Sequence, residues 1–350
     1  MDKINNRLSS IQAHEEGDPF GEGSSPVLSR RVVLLGGDFE FHSHSAELLE
    51  RLVDLAYAGL PPHRFENRQV PRFEIELRLT EGDPLEGDEP PAARMQGGAG
   101  FFCALMDAAN FAIVNQAQRS GVVGISRALL QRFPYHARYE LLEFAVFLLA
   151  SRAQQLVPLH AACVGENGVG LLLLGQSGAG KSTLALHCLL QGLDFLSEDA
   201  AFVEPASLQA AGLANFLHLR RADGLALVDD AGIEAQLKAS PVIRRRSGVE
   251  KYELDLRQPW AKLAPAPLKI AGLVFLSGEP ASDEQDLSPM LPAQWLPRFM
   301  AAQAYAALQA GWPLFEQHLP RLAAFELKRS RHPRESAQAL RALLAGLPRG

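Results

Sequence analysis

Cysteines and long apolar runs are scarce in this sequence of 350 residues. The three cysteines, Cys103, Cys163 and Cys188, show no C-x-x-C spacing and fit a reducing cytoplasm better than a disulfide scaffold. No apolar run reaches the ~18 residues that a membrane-spanning helix needs, and residues 1–26 lack the apolar core of a signal peptide. We therefore predict a soluble, cytoplasmic protein with no membrane partner.

Positive charge is also scarce, because the formal net charge is −6. Nucleic-acid backbones are held by clustered Lys and Arg, so this balance argues against nucleic acid as a partner. Hydrophobic residues make up 47% of the chain and charged residues 21%, which is typical of a globular protein. A chain of this length is long enough for two domains, each with its own core.

The first half of the chain predicts a disordered leader and then an α+β module. Residues 1–28 are polar, with Gly, Ser and Pro near their end, and are predicted to be the leader. The α+β N-terminal module is predicted over 29–155. Its predicted elements are a strand pair at 32–35 and 39–41, a helix capped by Ser45, a strand at 72–80, an exposed loop at 81–100, strands at 110–116 and 121–126, and a helix at 136–156.

The second half, residues 156–350, predicts an α/β domain with a helical C-terminal tail. Two apolar strands flank the turn at 165–168, and a helix begins inside a glycine-rich loop and ends near Leu190. Further strands are predicted near 195–203, 224–230 and 270–278, and the helical tail begins near residue 289. These elements indicate a sheet covered by helices.

The glycine-rich loop is the strongest functional signal. Gly175, Gly180, Lys181 and Ser182 satisfy G-x-x-x-x-G-K-[ST], with a predicted strand before the loop and a helix after it. Backbone N–H groups of such a loop, together with the positive end of the helix dipole, bind phosphate. Lys181 is expected to reach the β and γ phosphates of ATP, and Ser182 to bind Mg²⁺. The predicted nucleotide-binding residues are Gly175, Gln176, Ser177, Gly178, Ala179, Gly180, Lys181, Ser182 and Thr183.

A histidine and an acid flank this loop in sequence. His160 lies 21 residues before Lys181, on the strand predicted to precede the loop strand, and Asp199 lies 17 residues after Ser182. Ends of neighbouring strands meet at one edge of an α/β sheet, so both side chains are expected beside the loop. The carboxylate is suited to accept a proton from an attacking hydroxyl, and the histidine to orient the acceptor or stabilise charge. Alternatively, His160 is a core histidine and Asp199 a metal ligand or a strand-end cap.

Residues 158–204 resemble the catalytic domain of the HPr kinase/phosphorylase family, and more closely the HPr-kinase-related proteins. The resemblance is carried by "PLHAACV", "GQSGAGKSTLAL" and "GLDFLSEDAAFV". It implies a P-loop kinase domain whose sheet is related to that of phosphoenolpyruvate carboxykinases. It also implies Mg²⁺-ATP-dependent phosphoryl transfer to a hydroxyl, on a protein serine. His160 would be the active-site histidine, Lys181 and Ser182 the loop residues, and Asp199 the proton acceptor.

The sequence departs from the family pattern at two places. Glu198 stands where the family has the first of two aspartates. In "LHLRRADGL" (217–225), His218 stands where the family has a second metal-binding glutamate. Either that ligand is lost, or another acid such as Glu204 or Asp223 replaces it. The reverse, phosphorylase activity is left open for the same reason.

Other functions remain as alternatives. "LALVDD" at 225–230 has the form of a Walker B strand, so Asp229 or Asp230 would bind Mg²⁺ in a P-loop ATPase; otherwise it is a strand ending in a turn. An ATP-sensing regulatory module and a small-molecule kinase are further alternatives. The basic stretch 244–256 either closes over the γ-phosphate, docks an acidic partner, or is a solvated loop. The acceptor is a protein or a small-molecule hydroxyl, and a homo-oligomer is left open.

Overall fold

The computed structural model describes residues 27–280 and 286–347. The leader predicted at 1–28 lies outside these residues except at its end, where Leu28 begins the first strand. Within the described ranges the chain is mixed α/β with three sheets. No helix in those ranges is long and apolar enough to cross a membrane.

The N-terminal sheet has strand order β1-β2-β3-β7-β6-β5-β4. Its strands are β1 Leu28–Leu34, β2 Gly37–Ser43, β3 Arg72–Thr80, β4 Arg94–Gly98, β5 Phe101–Leu105, β6 Phe111–Asn115 and β7 Ser120–Ser126. The predicted β1–β2 hairpin is confirmed, with the strands antiparallel and Gly36 at φ 84° in the turn. β3 runs parallel to β2 and β7, while the other neighbours are antiparallel.

The loop predicted at 81–100 is only partly a loop, because its end forms β4. Every residue of β4 is exposed and two of them are glycines, so the strand has no apolar alternation to reveal it. β4 exists because β5, which was also not predicted, supplies its hydrogen-bonding partner.

Helices cover one face of this sheet. The helical segment α1 spans 46–57, and the Ser45 Oγ accepts from the Leu48 N–H at 3.3 Å, as predicted. α2 is Arg127–Arg132, and α3 spans 134–153 with π-helical stretches at 138–142 and 149–153. The helix predicted at 136–156 is found, but it begins earlier than predicted, because Pro134 occupies its first turn. The buried faces of α1, α3 and the sheet form one hydrophobic core.

The second sheet carries the glycine-rich loop. Its strands are β8 Val157–Leu159, β9 Ala162–Glu166, β10 Val169–Leu174, β11 Asp194–Ser197, β12 Ala201–Val203, β13 Gln209–Ala211, β17 Leu268–Pro280, β18 Leu287–Pro289 and β19 Ala323–Arg329. Their order is β11-β9-β10-β17-β13-β12-β8, and β19 pairs with β17 and β18. The hairpin β9–β10 and the helix α4, Lys181–Leu190, are as predicted.

β10 is apolar on both faces because helices pack on both sides of it. Leu171 and Leu173 contact the core under α4. Leu172 and Leu174 face the opposite core, which includes Trp295. This position explains the continuous run of leucines before the glycine loop. The remaining helices are α5 Ala231–Ala239, α6 Pro292–Ala302, α7 Trp312–Glu316 and α8 Pro333–Gly346.

A third sheet has the order β14-β16-β15, with β14 Phe216–Arg220, β15 Val242–Arg244 and β16 Glu250–Asp255. The strand predicted at 224–230 is wrong: Leu225–Leu227 form a 3₁₀ turn, and Asp230 caps α5 by accepting from the Gly232 and Ile233 N–H groups. A side chain that caps the next helix favours a turn over a strand. The tail predicted as helical also contains β19, which runs parallel to the central strand β17.

Candidate active site

The glycine loop opens into a cleft of about 1310 Å³. Residues 176–183 of the loop line it, together with side chains from both halves of the chain. Tyr135 and Tyr139 of α3 come from the N-terminal half, and Lys251 comes from β16. Of the predicted nucleotide-binding residues, Gly175 lies behind the loop, where its carbonyl accepts from Lys181.

The loop leaves room for an anion at the start of α4. Gly178 and Gly180 have φ of 85° and 95°, which side-chain-bearing residues rarely adopt. A β-carbon at Gly180 would project into open space. Among the described residues, no side chain caps α4, so the N–H groups of its first turn are available to a ligand.

Lys181 lies folded against the loop. Its Nζ donates to the Gly175 carbonyl at 2.7 Å. Burial lowers the pKa of Lys181, and the nearby acids Asp199 and Glu198 partly oppose that effect. An ammonium group in such a partly desolvated position interacts more strongly with phosphate than one in water.

Ser182 is held by the first of the two adjacent acids. Its hydroxyl donates to Glu198 Oε1 at 2.7 Å. Because the proton points at the carboxylate, the lone pairs of the Ser182 oxygen remain available to a metal ion. Within the described ranges, no group of three His, Cys, Asp or Glu side chains would bind a metal alone. One hydroxyl with a buried acid behind it fits Mg²⁺, which takes most of its ligands from phosphates and water.

Glu198 begins a buried series of polar contacts, named here the ion chain: Ser182, Glu198, His218, Glu253 and Arg138. Glu198 Oε2 accepts from the His218 backbone N–H at 3.1 Å and lies 2.6 Å from His218 Nδ1. His218 Nε2 lies 3.0 Å from Glu253 Oε1. Arg138 Nη2 donates to Glu253. The ion chain therefore runs from the glycine loop to helix α3 of the N-terminal half.

Each ionisable side chain of the ion chain is kept in its charged form by an oppositely charged neighbour. Burial would raise the pKa of Glu198, but His218 holds it below its ordinary value. Burial would lower the pKa of His218, but Glu198 and Glu253 raise it. Burial would likewise raise the pKa of Glu253, which His218 and Arg138 lower. Two carboxylates thus alternate with two cations.

His160 and Asp199, named here the rim pair, lie at the open side of the cleft. His160 Nδ1 is 3.7 Å from Asp199 Oδ1, and their side chains are 53% and 49% exposed. The prediction that His160 lies on a strand is wrong: it occupies a bend between β8 and β9. Gln303 holds that bend, because its Oε1 accepts from the His160 N–H at 2.8 Å and its Nε2 donates to the His160 carbonyl at 3.2 Å.

The basic stretch is divided between the cleft and the N-terminal half. The Arg245 guanidinium lies 4.8 Å from the Tyr139 ring centre and 5.7 Å from that of Tyr135. Burial would lower the pKa of Arg245, but the two tyrosine hydroxyls raise it, so Arg245 stays protonated. Arg246 donates to both oxygens of Glu140 on α3, at 2.8 and 2.6 Å. The stretch is therefore anchored rather than a free solvated loop.

The chain is similar to a known protein over part of its length. An HPr kinase/phosphorylase of Mycoplasmopsis pulmonis is 34% identical over 86 residues, which are 24% of this chain and 28% of that protein. Over these 86 residues the chain is related to the HPr kinase/phosphorylase family. No protein-family model matches it. A solved structure of the Hpr(Ser) kinase/phosphatase from Coxiella burnetii has a TM-score of 0.25 and 12% identity, covering 53% of this chain and 95% of that one.

The position at which the HPr kinase resemblance implies a second metal-binding glutamate has a different role here. His218 is enclosed by Glu198 and Glu253 in the ion chain. Of the possible replacements, Glu204 accepts from the Ser207 N–H and hydroxyl, away from the cleft. Asp223 does line the cleft, 3.8 Å from Arg220.

The two acids of the alternative Walker B assignment are engaged elsewhere. Asp229 pairs with Arg334 and lies 3.3 Å from His332 Nε2. Asp230 caps α5. Neither lines the cleft, so the acid next to the loop serine is Glu198 instead. Sequence reasoning missed Arg138, Glu253 and Gln303, which only the folded chain brings to the site.

Proposed function

We propose that the chain is a Mg²⁺-ATP-dependent phosphotransferase of the serine kinase type, which passes the γ-phosphate to a hydroxyl. The relation to HPr kinase/phosphorylase supports a kinase-type function. The observation that carries the proposal is the divergence of two adjacent acids. Glu198 points inward to the Ser182 hydroxyl at 2.7 Å, whereas Asp199 lies at the open rim beside His160. Glu198 therefore acts on the nucleotide side through Ser182, and Asp199 is positioned to act on an acceptor.

We assign the nucleotide to the loop and its lysine. Backbone N–H groups of 176–180 and the first turn of α4 surround the phosphates, and Lys181 leaves the Gly175 carbonyl to contact the β and γ phosphates. Ser182 would hold Mg²⁺, which when bound neutralises charge on the phosphate oxygens. Arg245 and Lys251 face the same cleft and offset further negative charge.

The reaction proposed at the rim is a direct transfer. The acceptor oxygen forms a bond to the γ-phosphorus while the bond to the β–γ bridging oxygen breaks, and ADP leaves. The hydroxyl proton passes to Asp199 Oδ, and His160 orients the acceptor. The half-exposed side chains of the rim pair leave access for a protein serine or a small molecule. A protein acceptor is our first choice, because the related protein's name denotes a kinase that acts on a protein.

The proposal extends to the organisation of the chain. We assign residues 156–350 to a P-loop kinase domain with an HPr kinase- or phosphoenolpyruvate-carboxykinase-like sheet, and 29–155 to an α+β N-terminal module after a leader at 1–28. The parallel strands β10 and β17, with the loop at the end of β10, support that assignment. A cytoplasmic location stays a prediction, and a homo-oligomer stays an open alternative.

The deciding experiment incubates the protein with γ-labelled ATP and a lysate of its own source. We expect a labelled protein band, or a labelled metabolite, that is absent with Lys181→Ala. Lys262→Ala is the matched control, since Lys262 pairs with Asp194 away from the cleft. ATP binding without a labelled product would favour the ATP-sensing module, and steady phosphate release without an acceptor would favour an ATPase. Either result would overturn the kinase proposal.

A further inference from the structure

A buried cation of the N-terminal half takes part in the nucleotide site through other side chains. Arg138 lies on α3, its side chain is 3% exposed, and its side-chain hydrogen bonds within the described chain go to Glu143 and Glu253 and not to the glycine loop. Its Nη2 donates to Glu253 of β16, and its Nε donates to Glu143 Oε1 at 3.1 Å. Its guanidinium also lies 4.4 Å from the Phe216 ring centre. A charge in this position is costly unless it is paired.

The contacts beyond Glu253 continue without a gap to Ser182. Glu253 and Glu198 are 7% and 8% exposed in their side chains, and His218 between them is 10% exposed. The two oxygens of Glu198 are divided: Oε2 faces His218, and Oε1 receives the Ser182 proton. The orientation of the Ser182 hydroxyl therefore depends on a carboxylate that His218 holds in place.

We propose that Arg138 is a positioning residue for the metal-dependent part of nucleotide binding, acting through Glu253 and His218. The inference rests on the proposed ATP site. Without Arg138, Glu253 keeps His218 as its one cation in the ion chain, so His218 shifts toward it and away from Glu198. Glu198 then holds the Ser182 proton less well. The N-terminal half thereby contributes to the nucleotide site across the interface between the two halves.

If Arg138 had a purely structural role, its loss would lower stability without changing the Mg²⁺ dependence of ATP binding. Arg257 is the control for such a role. Arg257 also joins the two halves, because its Nη1 donates to the Ala58 carbonyl at 3.2 Å. It lies 5.1 Å from the same Phe216 ring and pairs with Asp255. Arg257 has no contact with Glu253 among its hydrogen bonds in the described chain.

The test measures the Kd of a fluorescent ATP analogue with saturating Mg²⁺ and with EDTA. For Arg138→Met we expect binding with Mg²⁺ to weaken by about tenfold or more, as for lost outer partners of metal ligands, while binding in EDTA stays within about twofold. Arg138→Lys should recover part of the loss, because the positive charge returns. Arg257→Met should lower the melting temperature and leave the ratio of the two Kd values as in the wild type.

A second variant keeps the test decisive if Arg138→Met does not fold. Glu253→Gln has nearly the same shape and removes the carboxylate that competes with Glu198 for His218, so its Kd ratio should stay at or below that of the wild type, and Arg138→Met added to it should no longer raise the ratio. A raised ratio in Glu253→Gln, or equal ratios in Arg138→Met and Arg257→Met, would overturn the inference. Failure of the wild-type protein to bind Mg²⁺-ATP at all would instead refute the proposed function.

Discussion

The ion chain and the rim pair lie beside the same glycine loop, yet they differ in burial and in bonding. Glu198 is enclosed and has a partner for each oxygen. Asp199, the next residue, is half exposed, and within the described chain its ion-pair partner is His160 at 3.7 Å. The difference arises because the chain turns between β11 and β12 at this point. The buried Glu198 holds the Ser182 hydroxyl in one orientation for the metal, whereas the exposed Asp199 leaves room for a second substrate.

The largest effect on activity is expected from replacing Asp199, the proposed proton acceptor of the rim pair. Asp199→Asn keeps the shape of the side chain but cannot accept a proton, so we expect kcat for phosphoryl transfer to fall by about 100- to 10,000-fold. ATP binding should stay within about twofold, because the nucleotide contacts are unchanged. Asp223→Asn alters another exposed acid of the cleft and is the control. Transfer that survives Asp199→Asn would show that the proton leaves by another route.

A change in the ion chain should act on the metal instead of the proton. Glu198→Gln cannot hold the Ser182 hydroxyl and His218 in the same way, so the Mg²⁺ concentration for half-maximal activity should rise about 10- to 100-fold. Titration of activity with Mg²⁺ at fixed ATP measures this. Glu204→Gln, which changes an acid away from the cleft, should leave the Mg²⁺ dependence unaltered. An equal response of both variants would show that Glu198 has no special relation to the metal site.

The two regions should also differ in how pH affects stability. The pKa of folded His218 lies above the value of 6.5 for an unfolded histidine, so its stabilising contribution is complete below pH 6.5 and is lost as pH rises through the folded value. The slope of unfolding free energy against pH from this group is at most about 1.4 kcal/mol per pH unit. His218→Gln should remove that slope in urea unfolding curves. His160→Gln, at the rim, is the control, and an identical loss there would contradict the assignment.

The smallest effect on activity is expected from replacing Gln303, which holds the backbone of His160 in the rim pair. Gln303→Ala removes both hydrogen bonds to the His160 backbone, so kcat should fall by about two- to tenfold while the Kd for ATP stays constant. Gln309→Ala alters another buried glutamine, which donates to the Tyr305 carbonyl, and should leave kcat unchanged. A loss of ATP binding in Gln303→Ala would mean that the bend supports the loop instead of the rim.

Secondary-structure elements that neighbouring residues determine were predicted better than elements that depend on distant segments. The β1–β2 hairpin, the cap at Ser45 and the helix after the glycine loop follow from neighbouring residues, and all three are found. The segment 224–230 was misjudged because its apolar residues resemble a strand, although Asp230 caps a helix. β4 and β19 form only because partner strands lie beside them, so their own residues carry little pattern.

The sequence by itself determined the phosphate loop, since strand, turn and helix are contiguous and their geometry is local. It also determined the resemblance to HPr kinase/phosphorylase and the presence of two adjacent acids. Only the tertiary structure decided which acid is buried, and that Arg138 reaches the site from 115 residues before Glu253. The reason is physical: burial and charge pairing depend on which distant segments pack together, and spacing along the chain does not specify that.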